Sequence, residues 1–532
     1  MQPKTGFLSL VQELGFYILS FLPCRDILRC TSVCKALRQA YMSSSELQYI
    51  IELSGQRLLP VPNTDNRTPT FNRLQTLKDR AHAWFKFDMH SFKTITLREN
   101  LSAKKQLVTG GHLYSWHEDN DVAAIIPILP KPSQRTIERS WSRGTLRSVP
   151  HSFTLDVLMD PAQNLIAVAY SVASENHPLE SDEAVQIDLG ALDSDGVHPQ
   201  AAGRALLLSQ PSLPTLFAIL KGSGRHIALQ RSLVIVADGG RSLSKKGWQL
   251  QIWDWQNSAT SNSVLDKTGE SDMDFCFLGN DRLLVVAGNL ELYSIEDISQ
   301  APQLLACFRS PFPLWRIQCL LPMDDIEQMQ AQPQTVSYIS DPAHQLLCLT
   351  TSYDTDTFII IISTRIFFDL DGVVATVPTP WRRWGPSNTR IFRYPYPCKV
   401  HISGNRVLQA IMVDTPDRYG VEYEVRLMDF SPMAATNRQG LGRVVKESSM
   451  IEISPSSFEF MGTTIEEKNL EITTSLPYVE VVSDRKISTR ELLGIWLDRD
   501  RIYLLNVNWE DVAEGSTSYL TWESSRLEVI NV

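Results

Sequence analysis

The stretch that decides the organisation of this chain runs from residue 10 to residue 37 and reads LVQELGFYILSFLPCRDILRCTSVCKAL. Its first half places apolar residues at intervals of four, the spacing of one helical face: Leu10, Leu14, Ile18 and Leu22. Pro23 follows directly, and proline cannot continue a helix. The pattern therefore predicts an amphipathic helix over residues 10–22 that stops at the proline.

Two further short helices are predicted after this proline. The second begins near Asp26, whose carboxylate suits the first turn of a helix, and it carries Ile27 and Leu28. The third spans about residues 32–41, and its apolar face is formed by Val33, Leu37 and Tyr41. Three such helices in about forty residues cannot bury a sufficient core by themselves. Their remaining apolar surface must lie against the rest of this chain or against another protein.

The residues of these helices resemble the F-box family. The matching blocks are, in order, Leu10, Glu13-Leu14, residues 18–23 (ILSFLP), residues 26–30 (DILRC) and residues 33–35 (VCK). Two positions differ from the family pattern, because Val11 replaces the usual proline and Leu37 stands where many members have tryptophan. Both replacements are apolar, so a docking surface would keep its character.

The resemblance implies a partner, because F-box helices dock on a Skp adaptor that links to the cullin and RING subunits of a ubiquitin ligase. It implies adaptor contact for the following residues of this chain: Leu10, Leu14, Ile18, Leu19, Leu22, Pro23, Ile27, Leu28, Val33, Cys34 and Leu37.

The resemblance extends beyond the F-box. Residues 47–53 (LQYIIEL) and Trp84 are similar to the helical extension of large fungal F-box proteins. Residues 252–255 (IWDW), 290–294 (LELYS) and 384–390 (WGPSNTR) are similar to a fungal F-box group with a propeller-like C-terminal half.

From about Gly110 the pattern changes to short apolar runs separated by Gly, Pro, Asn and Asp. These runs have the length of strands, are rich in Val, Ile and Leu, and lack a helical period: residues 165–170, 227–229, 233–237, 250–253, 283–287, 346–349, 407–413 and 502–507. Trp253 and Tyr293 are 40 residues apart, which is the length of one four-stranded propeller blade. The sequence therefore predicts a multidomain chain in which an all-α module precedes an all-β domain, a degenerate seven- or eight-bladed β-propeller.

The predicted boundaries follow from these patterns. We expect an F-box over residues 5–53, a helical extension over residues 54–109 and the propeller over residues 110–532.

The composition limits the partners. The formal net charge is −10, so the surface as a whole does not suit a phosphate backbone and no nucleic-acid partner is expected. No apolar run reaches the ~18 residues of a membrane span, and no membrane partner is expected. The eight cysteines form no C-x-x-C pair, which is typical of reduced thiols and predicts an intracellular protein, cytoplasmic and/or nuclear.

No catalytic, cofactor-binding or metal-binding residue is predicted. The sequence contains neither a Walker loop nor a G-x-S-x-G elbow. Cys24, Cys30 and Cys34 are close together, but their spacing fits no zinc pattern. The acidic residues at 324–327 lie beside a Gln-rich stretch and are interpreted as a solvated loop.

Residues 379–399 (TPWRRWGPSNTRIFRYPYPCK) contain four arginines, one lysine and five aromatic residues but no acid. Arg and Trp favour protein interfaces, and guanidinium groups bind phosphate or carboxylate bidentately. One interpretation is a client-binding surface formed by Trp381, Arg382, Arg383, Trp384, Arg390 and Arg393. In the alternative, the aromatic residues pack between blades while the arginines are solvated or paired internally.

Together these patterns predict the substrate-recognition subunit of a Skp–cullin–F-box ubiquitin ligase. Such a subunit needs no catalytic residue, because it accelerates ubiquitin transfer to an unknown client by proximity. One alternative is a non-catalytic F-box and propeller scaffold that delivers no client for degradation. Another is a propeller enzyme with an accessory F-box, which the missing catalytic constellation disfavours.

Overall fold

The computed structural model describes residues 7, 10–61, 68–97, 103–130, 136–172, 184–211, 215–235, 245–268, 272–322, 338–353, 356–396, 398–413, 421–436, 442–453, 470–498, 500–508 and 524–532.

Helices form the N-terminal part of the chain, and two short helices lie within the later β region. Their bounds are α1 (Gln12–Ser20), α2 (Cys24–Val33), α3 (Lys35–Ser43), α4 (Ser45–Gly55), α5 (Thr70–Lys86), α6 (Trp381–Asn388) and α7 (Pro432–Thr436). The three predicted N-terminal helices are confirmed, with shifted ends. Val33 ends α2 rather than beginning α3, because the extended backbone at Cys34 (φ −153°) separates the two helices.

The first three helices share one small core, which α4 completes. Leu19 of α1 and Ile27 of α2 are buried against Leu47 and Ile51 of α4. The hydroxyl of Ser44 accepts the N–H of Leu47 and caps α4 at its start. A fourth helix is thus the element that covers the core which three helices cannot close.

The strands are, in chain order, β1 (Leu58–Pro60), β2 (Phe92–Leu97), β3 (Lys105–Thr109), β4 (His112–His117), β5 (Val122–Pro127), β6 (Arg139–Trp141), β7 (Phe153–Asp160), β8 (Leu165–Val172), β9 (Ala184–Ala191), β10 (Ala205–Leu206), β11 (Thr215–Ser223), β12 (His226–Ile235), β13 (Lys245–Asp254), β14 (Val264–Thr268), β15 (Asp274–Leu278), β16 (Arg282–Ala287), β17 (Asn289–Ser294), β18 (Gln303–Phe308), β19 (Trp315–Leu320), β20 (Tyr338–Ser340), β21 (Leu346–Tyr353), β22 (Asp356–Ser363), β23 (Thr389–Tyr394), β24 (Cys398–Ser403), β25 (Arg406–Val413), β26 (Val421–Asp429), β27 (Arg443–Val445), β28 (Ser449–Ile453), β29 (Leu470–Thr474), β30 (Tyr478–Thr489), β31 (Glu491–Leu497), β32 (Arg501–Asn508) and β33 (Ser524–Asn531).

These strands form a seven-bladed propeller of antiparallel sheets. From the centre outwards, the first five blades are β3-β4-β5-β6, β7-β8-β9-β10, β11-β12-β13-β14, β15-β16-β17-β18 and β19-β21-β22-β23. The sixth is β24-β25-β26-β30 with β27 at its edge, and the seventh is β31-β32-β33-β2. The propeller prediction is confirmed with seven blades.

The seventh blade closes the ring with strands from both ends of the propeller. β2 pairs with β33 in the register Phe92↔Ile530 to Leu97↔Ser525. The propeller therefore begins at Phe92, and the predicted boundary at residue 110 lies within it. The sequence pattern missed this strand because its partner lies at the other end of the chain.

The 40-residue interval in the sequence is the blade repeat. Trp253 lies in β13, the third strand of blade 3, and Tyr293 lies in β17, the third strand of blade 4. Asp429 ends β26, the third strand of blade 6. The aromatic and polar residues that mark these strand ends thus occupy equivalent places in different blades.

Two buried carboxylates connect neighbouring inner strands along the channel through ion pairs and main-chain hydrogen bonds. Asp156 of β7 accepts from Lys105 Nζ of β3 and from the N–H of Leu220 in β11, both at 2.6 Å. Asp274 of β15 repeats the arrangement: it pairs with Lys221 of β11, and its Oδ2 accepts the N–H of Cys319 in β19 at 2.6 Å. Two carboxylates therefore link five consecutive blades.

The propeller has two distinct ends. The strands of a blade alternate in direction, so each fourth strand ends where the next inner strand begins. We call this end of the channel the front face and the opposite end the rear face. β1 pairs with β20, which follows the end of β19 and so lies at the rear.

Helix α5 also docks on the rear face. Arg80 donates to the hydroxyl of Tyr338 at 2.6 Å. Trp84 is buried against Leu408, and the Arg406 guanidinium lies 5.0 Å from the centre of its ring. Among the described helices, none is long and apolar enough to cross a membrane.

Candidate functional site

The F-box helices expose a row of large apolar side chains. Leu14 and Ile18 are 43% and 39% exposed, and they lie one turn apart on α1. Leu10 precedes the helix and is also exposed, while Leu28 and Val33 extend the apolar surface along α2. Isolated exposed apolar residues are common, but a row of this length is typical of an interaction surface.

The structure divides the predicted adaptor-contact residues into surface and core. Leu10, Leu14, Ile18, Pro23, Leu28 and Val33 are exposed. Leu19 and Ile27 are buried in the core of the helical module, and Leu22, Cys34 and Leu37 are half-buried at its edge. A helical period identifies apolar faces, but it does not say which face meets the module's own core.

The predicted adaptor-contact residues leave out three exposed apolar residues of α1 and its ends. Val11, Tyr17 and Phe21 are 67%, 61% and 70% exposed. The rings of Tyr17 and Phe21 meet edge to face, with centroids 4.8 Å apart. Their spacing of four residues was the available signal, because it places both rings on one side of the helix.

The predicted client segment, residues 379–399, begins on the connection between β22 and β23, continues through β23 of blade 5 and reaches the start of β24. Helix α6 within it packs onto the propeller. Trp384 is buried and its indole N–H donates to the carbonyl of Arg309 at 3.1 Å. The half-buried Trp381 meets Trp384 edge to face, with ring centroids 4.7 Å apart. Trp384 also meets the ring of Phe308 at the end of β18, so this helix packs against the outer strand of blade 4.

Two of the four arginines in the segment are held by the fold. Arg390 is 2% exposed, its guanidinium donates to the carbonyls of Glu447 and Thr474, and it lies over the Tyr478 ring. Arg393 pairs with Asp356 at 2.6 Å. The structure thus gives these two side chains internal partners.

Arg382 and Arg383 are exposed, as is Arg393, whose guanidinium is paired with Asp356. Arg383 donates to the carbonyl of Gly372 at 3.4 Å. Of the six residues predicted to bind a client, Arg382 and Arg383 are thus the exposed arginines whose charge Asp356 does not offset.

The described residues offer little chemistry beyond recognition. Within the described ranges, no three His, Cys, Asp or Glu side chains lie close enough together to hold a metal ion. His112 is buried, accepts from the N–H of Ile137, and has a pKa lowered by burial. The predicted acidic loop at 324–327 lies outside the described residues.

A polar cavity of about 90 Å³ separates the helices from the rear face. It is lined by Gln56 and Arg80 on the helical side and by His401, Arg406 and Asp429 on the propeller side. Arg406 and Asp429 form an ion pair at 3.3 Å. Burial lowers the pKa of His401 to about 4, so its ring is neutral and accepts the N–H of Leu497 at 3.1 Å.

Comparisons with solved structures concern the fold. The chain is similar to the WD40 domain of SCAP from fission yeast, with 9% identity, a TM-score of 0.36, and coverage of 83% of this chain and 94% of that one. It is also similar to the WD40 domain of coronin from Toxoplasma gondii, with 10% identity, a TM-score of 0.39, and coverage of 83% and 87%. The search of curated proteins found no match.

The comparison with family models concerns the helical module. The model described as F-box domain matches residues 7–40, which include α1 and α2 and most of α3. The fungal subgroup that the later blocks resemble stays a prediction. Residues 7–40 of this chain are an F-box domain, and a seven-bladed β-propeller follows it.

Proposed function

We propose that this chain is the substrate-recognition subunit of a Skp–cullin–F-box ubiquitin ligase. The observation that carries the proposal is the row of exposed apolar side chains on the F-box helices, which the module's own core leaves uncovered. F-box domains generally bind Skp adaptors. The adaptor would in turn bring the cullin and RING subunits, and the propeller would hold a client protein.

The energetics favour a partner on this surface. Burying a Leu, Ile or Val side chain contributes roughly 1.5–3 kcal/mol. Four such side chains are available in Leu10, Leu14, Ile18 and Leu28. They are 39–46% exposed, so covering them contributes less than half of that value each and offsets part of the cost of association, estimated at about 4–15 kcal/mol.

In this proposal the chain has no catalytic role. A receptor accelerates ubiquitin transfer by holding client lysines near the ligase, which raises their effective concentration. Such a complex places the chain inside the cell, in the cytoplasm, the nucleus or both. We propose further that Arg382 and Arg383 contact an acidic part of the client, since both are exposed.

Direct binding to a purified Skp adaptor tests the proposal. Leu14→Glu with Ile18→Glu places two charges in the apolar row, and we expect the affinity to fall at least a hundredfold, because each burial is lost and each charge must be desolvated. Phe71→Glu is the matched control, because Phe71 is 62% exposed on α5, outside the F-box. Equal affinity of the double variant and wild type would contradict the proposal.

The scaffold alternative differs in its consequence for the client. A receptor ubiquitylates the protein that it holds, whereas a scaffold binds the adaptor and leaves that protein unmodified. In a reconstituted ligase, conjugation that requires this chain therefore separates the two functions.

A further inference from the structure

The inner strands of three blades begin with large apolar residues that point into solvent. Phe153 and Leu216 are each 61% exposed, Trp315 is 47% exposed and Phe217 is 45% exposed. They lie at the starts of β7, β11 and β19. Inner strands are the most enclosed part of a propeller, and later residues of the same strands, such as Ala218 and Cys319, are buried.

These residues share one end of the channel. Inner strands all begin at the front face, so Phe153, Leu216, Phe217 and Trp315 surround part of its mouth, across blades 2, 3 and 5. The F-box helices dock at the rear face, through β1 and α5. The apolar mouth therefore points away from the surface proposed for the adaptor.

The backbone departs from regular pairing at each of these strand starts. The register shifts between Thr154 and Asp156 in β7, between Thr215 and Phe217 in β11, and between Trp315 and Gln318 in β19. Such bulges redirect side chains and occur often next to functional sites. Arg316 adds a left-handed backbone (φ 49°) directly after Trp315, a strained conformation that clusters at binding sites.

Several charged side chains at this end of the channel form ion pairs with each other. Lys105 pairs with Asp156 inside the channel. At the rim Lys104 pairs with Glu118 at 2.7 Å. Arg147 pairs with Asp121 at 2.6 Å. Arg316, directly after Trp315, is also exposed, and the Asp272 carboxylate accepts its main-chain N–H at 3.0 Å. Cations and carboxylates are therefore mixed at this end of the channel, and the exposed apolar side chains lie among them.

We propose that the front mouth, defined by Phe153, Leu216, Phe217 and Trp315, binds an extended client segment rich in apolar or aromatic side chains and without excess charge. This inference rests on the proposed function, since it names the part of the client that the propeller holds. Aromatic residues in such positions commonly dominate the affinity of an interface.

The test uses the full chain, with and without the Skp adaptor, and a displayed library of random twelve-residue peptides as the probe. We expect enrichment of uncharged peptides with several apolar residues. Phe153→Ser with Trp315→Ser, and separately Leu216→Ser with Phe217→Ser, should weaken the enriched peptides at least tenfold. Val374→Ser with Val377→Ser is the control, because both are exposed apolar residues on the connection between β22 and β23.

Three results would overturn the inference. The first is an absence of enriched peptides. The second is enrichment of charged peptides that are lost in Arg382→Glu with Arg383→Glu and retained in the mouth variants. The third is a concentration-dependent dimer that the mouth variants abolish in sedimentation, which would make the mouth a contact between two copies.

Two measurements run in parallel. Thermal melting shows whether each pair of substitutions leaves the propeller folded, and either pair that does so decides the question. Adaptor affinity separates the two proposals, since a chain that binds the adaptor but shows no peptide at the mouth fails this inference alone. A chain that captures peptides at the mouth but does not bind the adaptor fails the proposed function alone.

Discussion

At the scale of single residues, the arginines of residues 379–399 divide by burial. Arg390 donates to main-chain carbonyls, and such charge-assisted bonds contribute about 1.5–3 kcal/mol each. We expect Arg390→Met to lower the free energy of unfolding by about 3 kcal/mol, measured by urea denaturation. Arg382→Glu with Arg383→Glu should change it by less than about 0.5 kcal/mol, because both residues are exposed. A similar loss in both variants would show that burial does not separate these arginines.

The sequence predicted that this segment is unusual, but not which arginines are internal. The acceptors of Arg390 are carbonyls 57 and 84 residues away along the chain. Main-chain carbonyls carry no residue signature, so no pattern in the segment could indicate them. Burial of Trp384 depends in the same way on Phe308, which belongs to another blade.

The lowered pKa of the buried His401 predicts how the stability of the fold depends on pH. Burial lowers its pKa to about 4, from an ordinary value near 6.5. The unfolded chain therefore binds a proton at a higher pH than the folded chain does, and the stability present above about pH 6.5 is lost as the pH falls towards 4. His112 and His226, whose pKa values are also lowered by burial, act in the same direction.

We expect His401→Gln to flatten part of this decline, measured as the unfolding free energy at several pH values. Glutamine retains an acceptor for the N–H of Leu497. The exposed His151→Gln is the control and should leave the slope unchanged. An identical slope in the His401 variant and wild type would contradict the argument.

At the scale of elements, the carboxylates between inner strands hold neighbouring blades together. Asp156 is 1% exposed and is shared by β3, β7 and β11. The Lys105 side chain is 37% exposed and can meet water, so Asp156→Ala mainly leaves the buried N–H of Leu220 without its acceptor. We expect it to lower the free energy of unfolding by about 1–3 kcal/mol. Glu118→Ala removes the partner of Lys104 at the rim and should cost about 0–1 kcal/mol. Urea denaturation of both variants tests this. An equal loss of unfolding free energy in the two variants would contradict the claim that Asp156 holds neighbouring blades together.

The elements themselves were largely predictable. Strand-length runs at residues 165–170 and 346–349 lie in β8 and β21, and every residue of both runs is buried, which demands apolar side chains there. The helical period predicted α1, but not that Leu19 faces the module's core while Ile18 faces solvent. That choice depends on α4, whose packing against α1 and α2 no local pattern contains.

At the scale of the whole molecule, closure of the ring depends on β2. The pairing of Phe92 with Ile530 joins strands from opposite ends of the propeller. A chain that begins at residue 68 keeps α5 and β2, whereas one that begins at residue 110 lacks β2 and β3. We expect the first to resist limited proteolysis with a strand-rich circular dichroism spectrum, and the second to be degraded. Equal resistance of the two chains to proteolysis would contradict the claim that β2 closes the ring.

The two faces of the propeller separate the proposed binding sites for the adaptor and the client. The F-box and α5 occupy the rear face, and the apolar mouth occupies the front face, so adaptor and client can bind at the same time. Reconstitution of the Skp–cullin–RING ligase with this chain, and measurement of ubiquitin conjugation to a protein captured through the propeller, tests the account most directly. The account predicts conjugation with wild type and its loss with Leu14→Glu and Ile18→Glu, while capture of that protein is unchanged. Equal conjugation with both chains, or capture without conjugation by either, would contradict it.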